Sequence, residues 1–104
     1  MLIGLLLILA LPVAAQRKVK FGIFDKATEQ PIIGAVITYA DNEKLKSPQR
    51  VVTNMDGEAT ISVPQSDKCY YQVVSVGYNP LKGTIGNDNS LQLFMTEDVM
   101  KVNE

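Results

Sequence analysis

Cys69 is the one thiol of this 104-residue chain, and Lys68 stands beside it. A cysteine becomes a nucleophile or redox centre when neighbouring cations hold it as a thiolate, and a single adjacent lysine is thin support for that. With one cysteine no internal disulfide can close, so the expected state is a semi-buried thiol at the front of an apolar run. Histidine is absent, which removes the commonest general base and a common zinc ligand. Tyr70, Tyr71 and Tyr78 have the composition of an aromatic ligand platform, yet in a small β-domain such residues fill core edges with their hydroxyls in water. Arg17-Lys18-Val19-Lys20 is the nearest approach to a phosphate-binding cluster. Ten Lys and Arg against eleven Asp and Glu, scattered along the chain, give a net charge of -1. No nucleic-acid partner is expected, and the basic cluster reads as a solvated lead into a first strand. These residues predict no catalytic group, no cofactor and no metal, hence a chain that is not an enzyme.

The elements that hold these residues begin after residue 15. Met1 to Leu11 is apolar throughout, and Pro12-Val13-Ala14-Ala15 brings small residues before Gln16. That is a secretory signal pattern with a predicted cut after Ala15, although no Lys or Arg precedes the apolar run. The run is shorter than the roughly 20 residues a membrane-spanning helix needs. The absence of a cysteine at the cut argues against a lipoprotein. The reading is therefore a signal peptide over 1–15, one small β-domain over 16–96 and a linker or tail over 97–104. Export follows, with no membrane span once the leader is removed.

Period-two alternation carries the domain. Val19, Phe21 and Ile23 share one face of a first strand that ends at Asp25. A polar turn leads through Pro31 into Ile32–Ala40, nearly all apolar or β-branched, which predicts one central strand with Gly34 at a close approach or bulge. Val51–Val63 reads as two strands folded into a hairpin about Asp56-Gly57, with Ala59, Ile61 and Val63 on one face. Pro64–Lys68 makes a turn, Cys69–Val76 a strand closed by Gly77-Tyr78, Leu81–Ile85 a short strand, and Leu91–Met95 the last. This predicts seven strands, no helix and a β-sandwich.

The longest irregular connection runs from Asp41 to Gln49 and includes Ser47-Pro48. Asp41, Asn42, Glu43, Lys44 and Lys46 make it a candidate interaction loop, since loops on a rigid scaffold carry binding residues. It lacks the aromatic anchors of a carbohydrate site, so protein contact is the better expectation. Read without a partner, it is a solvated connector.

The order of features resembles the carboxypeptidase regulatory-like domain. The resemblance rests on a strand ending in Asp25, then Pro31-Ile32-Ile33-Gly34-Ala35-Val36, Thr53-Asn54-Met55-Asp56-Gly57, Val74-Ser75-Val76-Gly77-Tyr78 and Leu91-Gln92-Leu93. It covers Val19 to about Met95. In its bacterial form this domain is similar to the periplasmic N-terminal extension of starch-utilisation-type TonB-dependent outer-membrane transporters of the Bacteroidota. The resemblance implies a transthyretin-like seven-stranded β-sandwich whose signature residues Gly34, Asp56, Gly57, Gly77 and Tyr78 have conformational roles. It implies contact with a plug and barrel or a TonB-type energising protein, through a sheet edge able to accept another strand. It also implies that a valine-rich segment, plug and barrel lie beyond Glu104, the chain being a fragment of such a transporter. The alternative is a free-standing exported module that binds a protein or glycan.

Overall fold

A computed structural model describes residues 16–64 and 68–98. The predicted leader over 1–15, the middle of the Pro64–Lys68 turn and the last residues of the predicted tail lie outside the described residues. The described chain is all-β: β1 Gln16–Asp25, β2 Val36–Ala40, β3 Gln49–Val52, β4 Glu58–Pro64, β5 Cys69–Val74, β6 Leu81–Ile85 and β7 Ser90–Met95. These seven strands form two sheets, one ordered β4-β1-β7 and the other β3-β2-β5-β6. All neighbours are antiparallel except β1 and β7, which run parallel.

The alternation that predicts the strands also builds the core between the sheets. Val19, Phe21 and Ile23 of β1, with Ile61 and Val63 of β4, meet Ile37, Tyr39, Cys69, Tyr71, Val73 and Ile85 from the second sheet. Phe21 and Tyr71 touch across the interior in a T-shape, with ring centroids 5.3 Å apart at 77°. Each fully buried aliphatic or aromatic side chain contributes about 1.5–3 kcal/mol relative to exposure. The Tyr71 ring crosses to the backbone of Gly83, where an added Cβ would lie 2.9 Å from its Cε2.

Three expectations change. The basic cluster is not a lead into β1 but part of it, since β1 pairs with β4 from Gln16 onward. Lys18 and Lys20 alternate outward into solvent, while Arg17 donates hydrogen bonds to the carbonyls of Gly86 and Asp88 and pins the β6–β7 turn. Ile32–Ala40 is not one strand. Ile33-Gly34 is a turn before β2, Gly34 has φ +80°, and nothing lies within 4 Å of where its Cβ would be. Its glycine serves the left-handed backbone rather than a close approach.

The third change concerns the predicted hairpin. β3 and β4 lie in different sheets and do not pair. Asn54 closes the connection, its side-chain oxygen accepting from the N–H groups of Asp56 at 2.9 Å and Glu58 at 3.0 Å. Thr53 on one side is held by the second sheet: its N–H donates to Ala35 O at 2.9 Å, and its carbonyl accepts from Gly34 N at 3.1 Å. Gly57 on the other side accepts from Ile23 N of β1 at 2.8 Å. The chain changes sheets between them. Here the close approach is real, because a Cβ on Gly57 (φ +73°) would meet Ile23 O at 2.6 Å and Pro31 Cβ at 2.9 Å.

Candidate functional site

Strand directions sort the predicted residues to opposite ends of the sandwich. β1 runs toward Asp25, and the registers set Gly34, the Thr53–Gly57 corner and Gly77-Tyr78 around that end. At the other end lie Gln16, the Asp41–Pro48 loop, the start of β5 and the Gly86–Asn89 turn. The signature residues and the interaction loop therefore do not meet.

At the signature end, the Tyr78 hydroxyl donates to Asp25 Oδ2 at 2.6 Å. The other Asp25 oxygen accepts from the N–H groups of Ala27 at 2.7 Å and Thr28 at 3.0 Å. The Tyr78 bond, and then these amides, hold the Asp25 carboxyl below the ordinary carboxylate range, and the same bond raises the phenol. The hydroxyl expected in water is thus bound to a carboxylate. Asp98 N donates to Gly77 O at 2.8 Å and Asn79 N to Thr96 O at 2.9 Å, so the chain leaves β7 alongside Tyr78. The Tyr78–Asp25, Asp98–Gly77 and Asn79–Thr96 contacts join chain segments, an architectural role for this end.

The loop end has the open geometry. The Asn42 side chain clamps the loop, its Oδ1 accepting from Lys46 N at 2.7 Å and its Nδ2 donating to Lys46 O at 3.0 Å. Leu45 and Ser47 take positive φ of 54° and 50°, a conformation that costs non-glycine residues energy and is held by the clamp around it. The loop separates two hollows. One, of about 410 Å³, lies between Tyr39, Gln49, Lys46, Ser62, Lys68 and Cys69. The other, of about 460 Å³, is lined by Glu43, Leu45, Lys68, Tyr70, Lys82 and Thr84. Asp41 and Lys46 face the first and Glu43 the second, while Lys44 borders neither.

The first hollow has a fixed polar wall. Tyr39 Oη donates to Gln49 Oε1 at 2.9 Å, which orients the amide. Cys69 is 3 % exposed at its base. Burial raises its thiol above the ordinary value, Ala40's backbone hydrogen bond and Arg17 pull the other way, and Asp41 adds to the rise. The sulfur is therefore held as a neutral thiol. Burial likewise raises the Tyr39 phenol. Among the described residues no group of three or more His, Cys, Asp and Glu is placed to hold a metal. What the arrangement presents is an amide, hydroxyls, ammonium groups and the Asp41 carboxylate on one rim. The Tyr39–Gln49 pair and the Asn42 clamp are invisible to composition; the charges of the loop were its one sequence signal.

No family model and no curated protein matches the chain. Solved structures do match. Hydroxyquinol 1,2-dioxygenase from Pseudomonas putida DLL-E4 superposes with a TM-score of 0.62 at 12% identity, over 86% of this chain and 59% of that one. An intradiol ring-cleavage dioxygenase from Tetranychus urticae gives 0.53 at 18% identity, over 73% of this chain and 53% of that one. A further dioxygenase gives 0.55 at 15%, over 72% and 53%. The chain thus spans between half and three-fifths of these structures. They overturn the expectation that the chain is not an enzyme, since the fold it shares with these structures is one that dioxygenases carry. The expectation had rested on residue types, and a fold hosts chemistry through sites that composition does not reveal. At these identities the likeness is one of fold.

Proposed function

We propose that this chain is an exported transthyretin-like β-sandwich of the carboxypeptidase regulatory-like type, serving as the periplasmic N-terminal extension of a TonB-dependent outer-membrane nutrient transporter. It acts through contact with protein. The observation that carries the reading is the division of labour between the two ends. Gly34, Gly57, Gly77 and Tyr78 are spent on turns and on the Asp25 tie, and all lie at the end where Asp98 leaves the sandwich. A plug and barrel attached beyond that point would leave the Asn42-clamped loop and its two hollows at the far end, open to a second protein. A clamped loop suits this role because little order is lost when it is contacted.

The test is a photo-crosslinking amino acid at Lys44 in cells that export the protein. The reading predicts a crosslink to the transporter barrel or to the TonB-type energising protein, and none from the same probe at Asn79. Equal labelling from both positions, or none from either, would overturn it. Under a free-standing module, Lys44 would instead capture a protein unconnected with the outer-membrane transporter.

A further inference from the structure

Among the described residues there are four strand edges, and three carry a guard against further pairing. β3 is four residues long and holds Arg50, β4 holds Glu58 and ends in Pro64, and β6 holds Lys82 and Gly83. Short length, charge, proline and glycine are the usual devices that keep an edge from accepting another strand. β7, Ser90-Leu91-Gln92-Leu93-Phe94-Met95, has none of them. Among the described residues nothing pairs with its outer edge from Ser90 to Met95, while just beyond it Gly77–Asn79 bonds to Thr96 and Asp98.

The register fixes what this edge offers. Lys20 N donates to Asn89 O at 3.0 Å and Lys26 N to Met95 O at 2.9 Å, which turns the backbone groups of the odd-numbered residues toward β1. The N–H and C=O groups of Ser90, Gln92 and Phe94 therefore project from the free edge. On the inner side Leu91 and Leu93 are only half-buried. On the outer side Phe94 is 43 % exposed and its ring pairs with Phe24 at 5.6 Å. An arriving strand bearing charge would set ions against these apolar groups, so the edge suits an uncharged strand with apolar residues at alternate positions.

β7 is itself such a strand, and we propose that it pairs antiparallel with β7 of a second copy of this chain. A two-fold axis at Gln92 sets Gln92 against the same residue of the second copy, and Ser90 against Phe94 in both directions. All the outward backbone groups of Ser90, Gln92 and Phe94 are then used, no charges meet, and Leu91 of each copy faces Leu93 of the other. The two three-stranded sheets become one continuous sheet. This inference is independent of the transporter reading.

Sedimentation velocity on the purified chain tests it, with charge variants at the exposed Gln92. The wild-type chain is expected to double in mass with rising concentration. Gln92→Lys and Gln92→Glu, which each place like charges opposite one another, are each expected to stay monomeric, and an equimolar mixture of the two to recover the dimer mass. Circular dichroism of each variant checks that it is folded, and Gln92→Thr serves as an uncharged control that keeps the dimer. A wild-type chain monomeric at high micromolar concentration, a dimer that survives Gln92→Lys, or a mixture that fails to re-associate would overturn it.

Discussion

Tyr78 and Asp25, 53 residues apart in sequence, are joined by a 2.6 Å hydrogen bond from phenol to carboxylate. The bond ties the end of β1 to the segment along which the chain leaves β7, and it holds Asp25 ionised to lower pH than an unfolded aspartate.

That shift has a sign. Because the folded pKa lies below the unfolded value of about 3.9, the contribution is full at neutral pH and is lost as pH falls through the folded pKa. The raised Tyr78 phenol contributes below its unfolded pKa of about 10 and loses that contribution as pH rises through the folded value. Tyr78→Phe is therefore expected to lower the thermal midpoint at pH 7 and to narrow its gap from wild type at strongly acid pH. Melting curves across pH measure this; an equal gap at every pH would contradict it.

Thr53 is 4 % exposed, and its hydroxyl donates to Ile32 O at 2.7 Å while accepting from Ala35 N at 2.9 Å. Thr53→Val keeps the shape and strands both backbone groups, and is expected to cost about 2–4 kcal/mol in urea unfolding. Thr53→Ser, which keeps the hydroxyl, is expected to cost about 1 kcal/mol.

Gly34 and Gly57 share a positive φ and differ in space. Gly34→Ala is expected to cost about 1–2 kcal/mol, the price of a left-handed alanine. Gly57→Ala adds overlap with the Ile23 carbonyl and is expected to cost about 1–3 kcal/mol more. Equal midpoint shifts in denaturant would refute the distinction.

Cys69 is buried with its thiol held neutral. Alkylation by iodoacetamide near pH 8 is expected to be much slower in the folded chain than in urea. Mass spectrometry against time measures it, and equal rates would show the sulfur to be open.

Much of this was legible beforehand. Alternation placed β6 at Leu81–Ile85 and the core face of β4 at Ile61 and Val63, because a half-buried strand writes its burial directly into every second residue. The same signal could not say which strand lies beside which, so β3 and β4 read as a hairpin although Thr53 and Gly57 are held by opposite sheets. Nor does a glycine show whether it answers to backbone angle alone, as Gly34 does, or also to a neighbour, as Gly57 does. The loop's charges marked Asp41–Lys46 as a candidate surface. The hollows beside it come from Tyr39, Ser62 and Lys82, which only the folded strands bring near.

The most direct test of the transporter reading is to sequence the coding DNA downstream of the Glu104 codon in the source genome. The account predicts that the frame continues through a valine-rich segment into a plug and an outer-membrane barrel. A stop codon directly after Glu104 would contradict it.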